Sequence, residues 1–142
     1  MGYTHYWRQS TDFTTDQWSA ICKDTRKIPA HCRKQGIPLQ YEWDDPRLRT
    51  CVTQSGIHFN GAGHDGHETF YISRNPTDAK KEFSFCKTAR KPYDLAVCLC
   101  LLRIAYHCSA ITISSDGMGA SNWLTAKAAY THLFKEEPPQ AF

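Results

Sequence analysis

Two short segments hold the residue types best suited to chemistry. The first is Cys86-Lys87-Thr88-Ala89-Arg90-Lys91-Pro92-Tyr93-Asp94. Three cations and the Thr88 hydroxyl lead into Pro92, a residue suited to the first position of a helix. A helix start presents unpaired N–H donors and about half a positive charge, so cations there are locally unfavourable. A bound anion resolves that conflict. The alternative is that Lys87, Arg90 and Lys91 point to water or pair with Asp94 and other carboxylates. The second segment is Ser114-Ser115-Asp116-Gly117-Met118-Gly119. Serine hydroxyls and glycine N–H groups hold phosphate well. Asp116 suits a ribose hydroxyl or a divalent ion, or else the segment is an ordinary turn with Asp116 near a helix cap. Neither segment has the spacing of a Walker A loop or of a dinucleotide-binding fingerprint.

A third candidate is Asn60-Gly61-Ala62-Gly63-His64-Asp65-Gly66-His67-Glu68-Thr69. It carries two histidines at i, i+3 and two carboxylates. Zinc takes three or four ligands in tetrahedral array, and this spacing matches no zinc signature. On a strand His67 and Glu68 point to opposite faces. No metal is therefore assigned, and His64 is the weakest residue of the set. His67 suits a polar ligand contact or a general base, because imidazole titrates near working pH. The bland alternative is a structural histidine in a hairpin. Tyr6 and Trp7, in the aromatic run Tyr3-Thr4-His5-Tyr6-Trp7, suit stacking on a base or ring. They equally suit the core side of a half-buried strand. Cys86 beside Lys87 has one mark of a low-pKa thiol. No histidine lies near it in sequence, and buried cysteines are common.

The elements that must position these residues follow from periodicity and punctuation. Gly2–Arg8 alternates as a short strand. Thr14 or Thr15 caps a helix that carries Trp18, Ile21, Cys22, Ile28 and Cys32 on one period, and Pro29 should kink or split it. Leu39–Trp43 reads as a strand, Asp44-Asp45-Pro46 as a turn and Cys51–Thr53 as a short strand. Ile57–Asn60 and His67–Arg74 form strands joined by the glycine-rich loop, and Glu82–Lys87 is another. Tyr93–Cys108 is apolar nearly all round, so it should be a buried helix. Ala110–Ser114 is a strand, and Ser121 or a neighbour caps a last helix reaching about Lys135. The whole is one α+β domain over residues 1–135, with a mixed or antiparallel sheet, about three helices and a C-terminal βαβα unit. Residues 136–142 read as a flexible tail. If the βαβ unit forms, its strands are parallel, and both candidate loops open at one sheet edge, where ligands favour binding.

Composition agrees. The chain has 142 residues, 41% apolar and 22% charged, with 17 Lys+Arg against 14 Asp+Glu. That is a globular balance, too weakly basic to imply nucleic acid by itself. No window reaches the length of a membrane span. The start does not resemble a secretion signal. Seven irregularly spaced cysteines then read as free thiols of a cytoplasmic chain.

Four segments carry a resemblance: Gly2-Tyr3-Thr4-His5-Tyr6-Trp7; Phe59-Asn60-Gly61 with His67-Glu68-Thr69-Phe70; Phe85 to Asp94; and Ser114-Ser115-Asp116-Gly117. Over nearly its whole length the chain resembles a family of small uncharacterised proteins of tailed bacteriophages and prophages. That resemblance implies a viral protein in the cytoplasm of an infected bacterium and brings no activity with it. The expected function is binding of a small anionic, nucleotide-like ligand. Lys87, Arg90 and Lys91 would face phosphate with Thr88 and Ser115; Tyr6 and Trp7 a base; Asn60, His67 and Asp116 hydroxyls. Pockets combine a few convergent polar groups with apolar walls. No cofactor is expected, and a homodimer is the default assembly. The phage context extends this to sequestration of a host immune signalling nucleotide. The alternatives are an enzyme on a nucleotide or phosphoester, using His5, His67, Glu68, Asp94 or Asp116; a single-stranded nucleic-acid binder; and an inhibitor of a host protein.

Overall fold

The computed structural model describes residues 3–41, 50–78, 80–117 and 121–140, with the side chains of residues 121 and 122 excepted. The elements are β1 (Thr4–Arg8), α1 (Thr15–Thr25), α2 (Lys27–Lys34), β2 (Leu39–Gln40), β3 (Gly56–Gly61), β4 (Phe70–Ser73), β5 (Phe83–Lys87), α3 (Asp94–His107), β6 (Thr112–Ser115) and α4 (Ser121–Phe134). This is the expected α+β class, with two small antiparallel sheets in place of one. The turn Asp44-Asp45-Pro46, the second half of the Leu39–Trp43 strand and the cap of the last helix lie outside the described residues.

Thr14 opens α1 with a capping box. Its hydroxyl accepts from the Gln17 N–H at 3.1 Å, and the Gln17 side chain accepts from the Thr14 N–H at 2.9 Å. The helix does break before reaching Gly36, but at Arg26 and not at Pro29. Pro29 then falls in the first turn of α2, where a missing N–H removes no hydrogen bond. Cys51–Thr53 makes only a bridge from Val52 to Ile57, because the Thr53 hydroxyl folds the chain into a tight turn at Gly56.

One sheet has the order β5-β1-β6, with β1 antiparallel to both neighbours. Strands β5 and β6 therefore run parallel, as the βαβ pattern predicts, but β1 is inserted between them. The pairing sets Thr4 opposite Lys87, and His5 opposite both Cys86 and Ser115. The carboxyl ends of β5 and β6 thus flank the start of β1. The second sheet, β2-β3-β4, joins the first through rings: Phe70 lies 5.2 Å from Trp7 and 5.1 Å from Phe59.

Helix α3 is the central core element, buried without a break from Ala96 to Ile104, Arg103 included. Each fully buried apolar side chain there contributes roughly 1.5–3 kcal/mol. Arg103 ends among rings, its guanidinium 4.2 Å over Tyr106 and 4.4 Å over Phe134. It pairs with Asp24 and Glu136, both at 2.8 Å, so Glu136 is tied to the body of the fold. Burial raises the Asp24 carboxyl, but hydrogen bonds from His107 and Arg103 overcome that and hold it below its ordinary value. Among the described residues no helix is long and apolar enough to cross a membrane.

Candidate functional site

The start of β1 is where the candidate loops meet. Tyr3 C=O accepts from the N–H groups of Thr88 and Ala89 at 3.0 and 3.2 Å. Thr4 exchanges bonds with the other loop: its N–H donates to Asp116 Oδ2 at 3.1 Å, and its C=O accepts from the Asp116 N–H at 3.0 Å. Both loops are therefore pinned to adjacent residues of one strand.

Behind this edge lies a buried polar chain. His5 is fully buried, with Nε2 at 2.6 Å from Asp94 Oδ1 and Nδ1 at 2.9 Å from Ser115 Oγ. Asp94 Oδ1 also accepts from the buried Thr88 hydroxyl at 2.5 Å, and Oδ2 from the Cys98 thiol at 3.6 Å. An ionised carboxylate only accepts, so His5 carries its proton on Nε2. Nδ1 faces the Ser115 hydroxyl. Ser115 Oγ in turn accepts from the Gly117 N–H at 3.1 Å. Asp94 opens α3, so the chain itself supplies an anion to that helix start.

The cationic loop is held in an uncommon form. Ala89 and Arg90 both adopt left-handed backbone, at φ 53° and 59°. For residues with a Cβ this costs roughly 1–2 kcal/mol each, and such strain gathers at functional sites. It places the exposed Arg90 guanidinium 4.1 Å over the Tyr3 ring. Tyr3 meets His5 edge-on at 5.0 Å, and His5 meets Trp123 at 5.1 Å. The Tyr3 hydroxyl is buried and makes no hydrogen bond of good geometry among the described residues. Burial pushes its phenol above the ordinary value.

Of the residues singled out in the sequence, Tyr6, Lys87, Arg90, Lys91, Ser115 and Asp116 lie at or beside this edge. The Tyr6 hydroxyl donates to Asp116 Oδ1 at 3.2 Å. Thr88 lies there too, but its hydroxyl points inward to Asp94 and supports the site from below. Trp7 is a core residue, 3% exposed, because alternation on β1 turns it inward with His5. Asn60 is also buried. Its amide donates to His67 O and Thr69 Oγ1, and its Oδ1 accepts from the Gly61 and His67 N–H groups. It builds the glycine loop instead of presenting a polar group outward. That loop closes tightly: a Cβ on Gly61 would stand 2.0 Å from Asp65 O. His67 and His64 are exposed on it.

Glu68 links this loop to the site. Its carboxylate accepts from the Lys87 N–H at 2.9 Å, and its N–H donates to Lys87 O at 3.2 Å. Its C=O accepts from the Tyr93 hydroxyl and, at 3.5 Å, from the Cys86 thiol. Burial drives the Cys86 thiol up to about 12, so it is not an activated nucleophile.

His5, Asp94 and Cys98 place three donor atoms within 4.8 Å of one another. By type they suit zinc. Two light-atom ligands on tetrahedral zinc lie about 3.3 Å apart, and His5 and Asp94 at 2.6 Å are in direct hydrogen-bond contact. Burial and the Asp94 carboxylate also hold the Cys98 thiol well above its ordinary value, against the thiolate a metal needs. The cluster is a hydrogen-bonded network.

Sequence reasoning missed Tyr3 as a support for Arg90 and the pairing of Ser115 with His5. No protein-family model, curated protein or solved structure matches the chain.

Proposed function

We infer that the chain binds a small anionic, nucleotide-like ligand at the edge formed by the ends of β5 and β6. The observation that carries this is the meeting of both loops at Tyr3 and Thr4, with Arg90 set over Tyr3 by a strained left-handed turn. Arg90, Lys87 and Lys91 supply positive charge for phosphate. Ser115 and Asp116 supply hydroxyl and carboxylate groups for the remaining polar atoms. The buried His5–Asp94–Thr88 chain fixes the floor, so little ordering is left to binding. The resemblance to phage proteins extends the reading: a chain that holds its ligand unchanged withholds a nucleotide signal from its host. The test is thermal unfolding with mono-, di- and cyclic dinucleotides. A ligand at a hundred times its Kd stabilises by about 2.7 kcal/mol. A raised Tm in the wild type that disappears in Arg90→Ala supports the site; no shift with any of them removes it.

One observation favours a second reading, catalysis. His5 set between the Ser115 hydroxyl and the Asp94 carboxylate is the arrangement that activates a serine oxygen when the ring is neutral. In that reading Ser115 Oγ attacks a phosphoryl or acyl centre while His5 Nδ1 takes its proton and hands it to the departing alcohol oxygen as that ester bond breaks; water then releases the group from Ser115. Bound ligand recovered chemically unchanged after prolonged incubation rejects this; recovered cleaved, with Ser115→Ala inactive, it is established.

A further inference from the structure

The outer face of the β5-β1-β6 sheet is the second feature that no internal packing explains. Alternation turns His5, Trp7, Cys86 and Ile113 inward, and Thr4, Tyr6, Arg8, Phe83, Phe85 and Lys87 outward. Phe83 is 50% exposed and Phe85 57% exposed. The register sets Tyr6 between Phe85 and Ser114, Arg8 between Phe83 and Thr112, and Thr4 beside Lys87. Tyr6 and Phe83 stack at 6.3 Å with 20° between planes, and the Arg8 guanidinium lies 5.3 Å over Phe83. A shallow groove of about 160 Å³ runs past Tyr6, Arg8, Phe83, Thr112 and Ser114.

Three rings on one open face are an unusual exposure unless something covers them. Their surroundings say what. Arg8 and Lys87 stand among the rings, so the occupant is anionic as well as ring-bearing. Two copies of this chain packed face to face would set those cations against each other. Duplex nucleic acid keeps its base faces stacked inside, whereas a single strand offers them. Phe83, flanked by Tyr6 and Arg8, and the more exposed Phe85 stand about 7 Å apart along β5, a spacing at which bases lie side by side.

We propose that this face is a stacking platform for the bases of a single-stranded oligonucleotide, whose phosphates continue past Lys87 toward Arg90. The proposal rests on the anionic-ligand reading of the adjoining edge and extends it from a nucleotide to a strand. Stacking tolerates any base, so the platform selects single strands with little sequence preference.

The test is fluorescence anisotropy of a labelled mixed-sequence 12-mer, DNA and RNA, with wild type, Phe83→Ala and Phe85→Ala, beside mononucleotide thermal shifts. Both side chains are surface-exposed, so the variants keep the core. The expected result is wild-type binding that weakens roughly five- to hundred-fold for each ring removed. It should also fall linearly on a log–log salt plot. Mononucleotide binding with no 12-mer binding overturns this proposal and leaves the edge site standing. No response to either probe overturns both. A 12-mer affinity unchanged from wild type in both variants places the strand elsewhere and overturns the platform. Concentration-dependent dimers in the wild type that either substitution abolishes show that the face belongs to a second copy.

Discussion

Replacing Asp94 probes the buried chain beneath the site. Asp94→Ala removes the acceptor for His5 Nε2 and for the Thr88 hydroxyl, two groups that are fully buried. A buried donor left without a partner costs about 1–3 kcal/mol, and both here face a charged acceptor. The expected loss is therefore roughly 4 kcal/mol. At about 3 °C per kcal/mol for a chain of this length, Tm falls by around 12 °C. Thr88→Val keeps the shape and removes one donor, for about 1–2 kcal/mol. The two changes act on one bond, so the double variant should fall short of additivity by about 1 kcal/mol. Urea unfolding measures this, with a constant m-value showing that only stability moved. Asp94→Ala within 1 kcal/mol of wild type, or strict additivity with Thr88→Val, would refute the account of the network.

Three further outcomes follow from particular contacts. Gly117→Ala would set a Cβ 2.2 Å from the Tyr3 ring, so it should destabilise by roughly 1–3 kcal/mol and displace Tyr3 from beneath Arg90; calorimetry and ligand titration check both. Arg103→Ala leaves Asp24 without its guanidinium partner inside a partly buried cluster, and equilibrium unfolding should show a loss of about 3 kcal/mol. Asp24 has a folded value below its ordinary 3.8, so its contribution is present above that value and is lost as pH falls through the lower folded one; a pH series of unfolding midpoints should show that decline, flattened in Asp24→Asn.

The parts of the fold set by local chemistry were legible in the sequence. The cap at Thr14 or Thr15, the all-round apolar α3 and the alternation of β1 each carry their own signal, whereas the Gln17 half of the capping box was not read. The insertion of β1 between β5 and β6 has no such signal, because strand order depends on contacts more than seventy residues apart. The same distance hid the core of the site. His5, Asp94 and Ser115 are remote in sequence, and only the insertion of β1 brings them together. The two loops were readable as neighbours at one edge. The inward turns of Trp7 to the core and Asn60 to the glycine loop depend on strand register and on the detailed closure of Gly61–Gly66.

The most direct test of the central claim is isothermal titration of the wild type and Arg90→Ala with the nucleotide that gives the largest thermal shift. Arg90 is exposed and its contact with Tyr3 is worth only about 0.5–1 kcal/mol, so the variant should remain folded. The account predicts saturable binding by the wild type and at least a tenfold loss in Arg90→Ala, with both chains melting at similar temperatures. Equal affinity in the two chains, or no heat of binding from a folded wild type, would contradict it.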